Sequence, residues 1–172
     1  KSGIARYFVE WVFGSLALSN GWLRFPGENM SITVSNDVRL LDSSTLDLGG
    51  DGLVTNELGG AGYYFNLGLT NGPVLRCGGN LLLTNSSALR VFAGATNVEG
   101  AAGALVSVTG QFAVVGNSWV SPVSHGTNGG SVEFEVGALT VASDSGFMAD
   151  RLGFLGGLPK DAARNYWGYG PG

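Results

Sequence analysis

The side chains in this sequence best suited to acid–base chemistry are two glutamates in the segment VEFEVG. Glu133 and Glu135 alternate there, so in a β-strand both lie on one face, about 7 Å apart. That separation falls within the range of the carboxylate pair of an inverting glycosidase. Such a pair must flank a cleft, whereas both of these come from one strand, and the similar segment VEWVFG keeps Glu10 but has Val12 in place of the second acid. We therefore expect two solvated surface charges.

The other candidates for catalysis or metal binding are isolated in the sequence. His125 is the only histidine and has no second His or Cys to complete a zinc site, and the chain lacks the G-x-S-x-G elbow of a serine hydrolase. Asp47, Asp51 and Glu57 suggest a calcium ion, but the nonapeptide of Ca²⁺-binding β-helices does not recur. The single cysteine, Cys77, alternates inward and predicts a small buried side chain. We predict no catalytic residue, no cofactor and no metal, with calcium in the long loop as the alternative.

Aromatic side chains provide the candidates for ligand binding. Tyr63, Tyr64 and Phe65 lie together in a Gly-rich segment, and Trp119 follows a polar corner. Exposed rings on the flank of a β-structure stack on sugars, but the same rings also cover apolar surface. We therefore expect packing over apolar surface first, and we name these four residues as the candidates for glycan stacking.

The elements that must position these residues form an internal repeat. Five times the chain gives an alternating apolar segment, a second alternating segment, a polar corner and a third alternating segment, which is a β-strand pattern. The second segments are Leu16-Ala17-Leu18, Val38-Arg39-Leu40, Leu81-Leu82-Leu83, Phe112-Ala113-Val114 and Leu139-Thr140-Val141. The corners are rich in Asn, Ser and Asp, whose side chains bond to turn backbone.

The repeat predicts an all-β fold, a right-handed parallel β-helix of about five coils. Gly-rich inserts at 49–73, 93–104 and 124–130 all follow a third segment, and inserts confined to one side are typical of a solenoid. Periodicity alone does not fix the handedness. A β-sandwich is the alternative, since it also contains many short strands. We predict one domain over 1–172, with a cap or linker at 1–8, coils at 9–151 and a Gly- and aromatic-rich tail at 152–172.

Alignment of the repeats predicts which side chains stack. One inward row should contain Leu16, Val38, Leu81, Phe112 and Leu139, and another should contain Leu23, Leu46, Leu89, Val120 and Phe147. On the outside, Arg24, Asp47 and Arg90 should form a column in which the middle carboxylate pairs with both neighbours. Exposed ion pairs of this kind contribute only about 0–1 kcal/mol, so we expect the column to set the register.

Composition excludes several classes of function. Glycine accounts for 30 of the 172 residues and charged residues for 13%, against a usual share of roughly a quarter, but 44% of the chain is hydrophobic, enough for a core. The formal net charge of −4 argues against nucleic acid as a partner. No apolar run is long enough to span a bilayer.

The second half of the chain resembles a family of bacterial proteins. The segment NGGSVEFEVGALTVASDSGFMADRLGFLGG, the later GYGPG, and the phrases SSALRVFAGATN and SWVSPVSHGTNGGSV are similar to Gly-rich units of very large secreted or surface proteins of planctomycete–verrucomicrobial-type environmental bacteria. The resemblance covers roughly residues 74–172. It implies an extracellular, adhesin-like β-helix, and it brings no catalytic residues. Arg151 departs from the family pattern, which has Gly or Asn after the aspartate.

These observations favour a non-enzymatic structural or adhesive module, extracellular or on the cell surface. We expect its coils to stack end to end with other copies, giving a homo-oligomer or fibre, or to continue into neighbouring coils of a longer chain. The alternative is a glycan-binding or polysaccharide-degrading β-helix, a lyase or hydrolase. No nucleic acid or membrane span is expected.

Overall fold

The computed structural model of the chain describes residues 9–50, 71–97, 102–126 and 130–150. Strands account for 61% of these residues, and helices for none, so the predicted all-β class is confirmed. Within these ranges, therefore, no helix offers the length and hydrophobicity needed to cross a bilayer.

Each of the five repeats supplies three strand segments. In chain order the strands are β1 (Val9–Phe13), β2 (Leu16–Ser19), β3 (Trp22–Phe25), β4 (Met30–Val34), β5 (Val38–Leu41), β6 (Thr45–Leu48), β7 (Asn71–Gly72), β8 (Val74–Cys77), β9 (Leu81–Leu83), β10 (Ala88–Phe92), β11 (Thr96–Asn97), β12 (Ala104–Val114), β13 (Trp119–Val123), β14 (Val132–Val141) and β15 (Gly146–Phe147). The first and second segments are separate strands in repeats 1 to 3 and fuse into β12 in repeat 4 and β14 in repeat 5.

The strands form two large parallel sheets. One contains the first segments, in the order β1-β4-β8-β12, and the second segments, in the order β2-β5-β9-β12, with β14 paired beyond β12. The other contains the third segments, in the order β3-β6-β10-β13-β15. Each repeat therefore pairs with the next one along the chain, in parallel. A β-sandwich, by contrast, is built from antiparallel sheets.

The register confirms both predicted inward rows. Leu16, Val38, Leu81, Phe112 and Leu139 are successive partners across the ladder. Leu23, Leu46, Leu89, Val120 and Phe147 are partners in the same way. The middle members of both rows are fully buried and belong to one continuous hydrophobic core. The alignment predicted this core because an apolar side chain recurs at the same position of every repeat.

The polar corner between the second and third segments is built from residues that tolerate a left-handed backbone. Asn20, Asp42, Asn85 and Asn117 have φ values between 49° and 59° there, the region that Asn and Asp enter at the lowest cost. A ladder of serines, one in each of repeats 2 to 5, lies where these corners meet the third segments. Its members are Ser44, Ser87, Ser118 and the half-buried Ser145.

Glycines form the close contacts where two inserts leave the stack. β7 pairs with β11, and the Gly94 N–H donates to the Gly103 carbonyl at 2.7 Å. A Cβ added at Gly72 would lie closer than 3.0 Å to the backbone of both Gly94 and Gly103. The Gly-rich composition of these segments therefore permits backbone to pack on backbone.

Candidate functional site

Trp119 is the only predicted ligand-binding residue whose surroundings the structure describes, because Tyr63, Tyr64 and Phe65 lie outside the described residues. Trp119 begins β13, and 40% of its surface is exposed. It faces outward from the sheet of third segments. Its ring is therefore accessible from solvent, as glycan stacking requires.

Sequence reasoning missed a second tryptophan on the same face. Successive ladder partners place Trp22, Thr45, Ala88 and Trp119 in one outward column, and Trp22 is 63% exposed. The signal was available in the repeat, because Trp22 precedes Leu23 just as Trp119 precedes Val120. We call the outer face of this sheet between the two rings the tryptophan face.

Asp47 lies beside this column, and its hydrogen bonds differ from those that the predicted alternation of charges implied. Arg24, Asp47 and Arg90 are ladder partners as expected, and Arg90 Nε donates to Asp47 Oδ1 at 2.6 Å. The Oδ2 atom accepts from Arg90 Nη2 at 3.1 Å and from Trp22 Nε1 at 2.8 Å. With that oxygen occupied, Arg24 Nη2 donates to the Gly50 carbonyl at 2.6 Å.

The predicted pairing of Asp47 with Arg90 is therefore confirmed, and its predicted pairing with Arg24 is wrong. The expectation of an exposed ion pair is also wrong, because Asp47 is only 4% exposed. The indole and guanidinium groups cover the carboxylate, so this ion pair is shielded from solvent and holds Trp22 in place.

A shallow groove runs beside Trp119 on the tryptophan face. Its lining consists of Thr45, Ala88, Arg90, Trp119, Ser121, Val123 and Met148. The side chains between the rings are small, which leaves the groove open. At its far end Gly146 is the ladder partner of Trp119, and a Cβ there would lie 3.2 Å from the ring atom Cζ3. Because Gly146 has no side chain, the Trp119 ring lies directly against the backbone of repeat 5.

A second groove lies on the outward face of the second segments. It combines one carboxylate, Asp37, with Arg39, Asn80 and Gln111. Asp37 Oδ1 accepts from the Asn80 backbone N–H at 2.9 Å, and Oδ2 accepts from Arg39 Nη2 at 2.8 Å. These hydrogen bonds, that from Asn80 first, hold the pKa of Asp37 below its usual value. A carboxylate held in its charged form is poorly suited to act as a general acid.

The other chemical candidates are dispersed. Glu133 and Glu135 are exposed on the outer strand β14, as expected for solvated charges. His125 is buried, and burial lowers its pKa. Cys77 is 2% exposed, which confirms the inward position, and burial raises the pKa of its thiol. Across the described ranges, no three His, Cys, Asp or Glu side chains come together as a metal site; Asp51 and Glu57 lie outside those ranges.

Aromatic clusters lie at both ends of the stack. At the repeat 1 end, the Trp11 and Phe13 rings have centroids 5.6 and 6.1 Å from that of Phe25. At the repeat 5 end, the Phe147 ring lies 5.4 Å from Phe134 and 5.9 Å from Phe112. The core between them is mainly aliphatic.

These end clusters are partly open to solvent. Trp11 is 46% exposed, Phe147 39% and Leu139 52%, whereas the corresponding residues of the middle repeats are buried. Comparison with known proteins adds no template for either end or for the tryptophan face. No protein-family model matches the chain, and no curated protein or solved structure matches it.

Proposed function

We propose that this chain is a non-enzymatic structural or adhesive module, a right-handed parallel β-helix whose ends stack on further coils. The handedness follows from a general rule: a connection between parallel strands of one sheet is right-handed in about 98% of cases. The described strands of successive repeats are parallel neighbours in one sheet, so the rule applies to them. The observation that carries the function is the exposure of the core rows where they reach the two ends.

At both ends, the rows of core side chains finish in apolar residues that are exposed to solvent. Ile32 and Leu75 in the middle are fully buried, but their row ends in Trp11, which is 46% exposed. The row of Phe112 ends in Leu139, which is 52% exposed. A further coil would cover these side chains and pair with the outer strands β1 and β14. Unpaired strand edges are a known route to association.

Two sources of the additional coil fit this chemistry. Copies of the chain stacked end to end would give a fibre, and further repeats of a longer polypeptide would give a longer rod. The resemblance to Gly-rich bacterial surface proteins supports an extracellular or cell-surface location in both cases. The described residues bring no second carboxylate into either groove, which gives the alternative, a polysaccharide lyase or hydrolase, little support.

Stacking of copies is tested by sedimentation velocity over a range of concentrations, with electron microscopy of the same samples. We expect the wild-type chain to assemble and Leu139→Lys to remain monomeric, because a charge there would be buried against the next copy. Leu82→Lys is the matched control, since Leu82 lies in the middle of an outward column and should leave assembly unchanged.

Continuation into a longer chain is tested by fusing a copy of residues 104–126 after Asp150. If the ends accept coils, the fused coil should raise the thermal unfolding temperature and protect the outer strand β14 from hydrogen exchange. A wild-type chain that stays monomeric, together with a fusion that gains neither stability nor protection, would contradict the proposal.

A further inference from the structure

We propose that the tryptophan face binds a neutral oligosaccharide of equatorially linked pyranoses, with Trp22 and Trp119 stacking on separate sugar rings. This inference concerns the flank of the stack and does not depend on assembly through its ends. It adds Trp22 to the one candidate, Trp119, that the sequence alone suggested in this region.

The two rings have the spacing of a multi-site platform. They occupy one outward column and are separated by the repeats of Thr45 and Ala88, which makes three ladder steps. Three steps of about 4.8 Å place the two positions roughly 14 Å apart. One pyranose is too short to reach both rings, so the ligand is an oligosaccharide. Equatorial linkages keep the C–H faces of successive sugars flat, which is the surface that an indole face contacts.

Both rings are held in place before any ligand arrives. The Trp22 indole N–H is fixed by Asp47, and Asp47 is fixed in turn by Arg90. The Trp119 ring lies against Gly146. Rings that are already oriented lose little conformational entropy on binding, and this preorganisation increases affinity.

The surface between the rings is suited to an uncharged chain of hydroxyl groups. Thr45 and Ala88 are small enough for a sugar to approach the sheet, and the Thr45 and Ser121 hydroxyls and the Arg90 guanidinium contribute polar groups to the groove. Arg90 and Arg24 already donate to protein oxygens, and Asp47 offsets one of their charges. With a formal net charge of −4, the whole chain also disfavours a polyanion. A neutral glycan therefore fits better than a polyuronate.

The experiment is isothermal titration of the full chain with cellohexaose and chitohexaose, with oligoalginate as the acidic probe. We expect a neutral hexasaccharide to bind, and Trp22→Ala and Trp119→Ala each to weaken binding at least about tenfold, which corresponds to about 1.4 kcal/mol. Trp119→Phe keeps a stacking ring and should bind within a few fold of wild type. Gly146→Val should weaken binding as Trp119→Ala does, because the valine side chain would displace that ring.

Leu82→Ala is the control. Leu82 lies in the middle of an outward column of the other sheet, away from both tryptophans, and its loss should leave glycan affinity unchanged. Circular dichroism and thermal unfolding of each variant separate loss of the site from loss of the fold. The proposal is overturned if neither neutral hexasaccharide binds at millimolar concentration, if both alanine variants bind as wild type, or if only oligoalginate binds. Sedimentation of the same variants keeps this result separate from assembly through the ends.

Discussion

Asp37 and Asp42 each accept hydrogen bonds from a neighbouring repeat. The charge on each carboxylate therefore helps to hold one repeat on the next. Asp42 Oδ1 accepts from Asn85 Nδ2 at 3.0 Å, and its Oδ2 accepts from Ser19 Oγ at 2.9 Å. These bonds, that from Asn85 first, lower the pKa of Asp42, as the bonds from Asn80 and Arg39 lower that of Asp37. The ionised form of both carboxyls is therefore favoured in the folded chain.

This coupling predicts a pH-dependent stability. A carboxyl whose pKa is lower when folded contributes stability above its unfolded pKa, about 3.9 for Asp, and loses that contribution as the pH falls through the folded value. Urea unfolding should therefore show stability decreasing below about pH 4. The variant Asp37→Asn/Asp42→Asn should be less stable at pH 7 and should decrease less steeply in acid. Equal slopes for the two proteins between pH 4 and pH 2 would contradict the assignment.

The corners act as elements that hold one repeat on the next. In the serine ladder, Ser118 Oγ accepts from the Ser87 N–H at 3.1 Å, and Ser145 Oγ accepts from the Ser118 N–H at 3.2 Å. At the corner between the first and second segments, Asp37 Oδ1 likewise accepts from the Asn80 N–H of the next repeat at 2.9 Å. Turn backbone cannot join the strand ladder, so a side chain from the adjacent repeat satisfies it.

Removal of one rung of the serine ladder should therefore be costly. Ser118 is fully buried, and Ser118→Ala leaves the buried Ser87 N–H without its acceptor, so we expect a loss of about 1–3 kcal/mol in the free energy of unfolding. Ser143→Ala makes the same change at an exposed position of the last corner and should stay within about 0.5 kcal/mol of wild type. Equal unfolding free energies for the two variants in urea would contradict the role of the ladder.

At the scale of the whole molecule, like residues stack on like residues through all five repeats. This regularity explains how much of the fold could be predicted. An apolar side chain that recurs at the same position of every repeat must face the same core, so the rows of Leu16 and Leu23 followed from sequence alone. The fusion of the first two segments into β12 and β14 was not predicted; their pairing includes a register shift between Val108 and Gln111.

The candidate site was less predictable than the core. Trp119 was recognised as an exposed ring, but Trp22 was not, since their partnership becomes visible only when outward positions are compared as the inward ones were. The misassigned pairing of Arg24 has a similar origin. Register fixes which residues are neighbours, but the choice between Asp47 and the Gly50 carbonyl depends on which acceptor atoms the indole and Arg90 leave accessible.

The in-register stack of five repeats is most directly tested by a distance between its first and last members. Ala17 and Thr140 are exposed ends of one outward column, four ladder steps apart, so spin labels at Ala17→Cys and Thr140→Cys, in a Cys77→Ala background, should report a narrow distribution near about 19 Å. Double electron–electron resonance measures this distance in solution. A broad distribution, or a distance well beyond that value, would show that the repeats do not lie on one another and would contradict both the fold and the function argued from it.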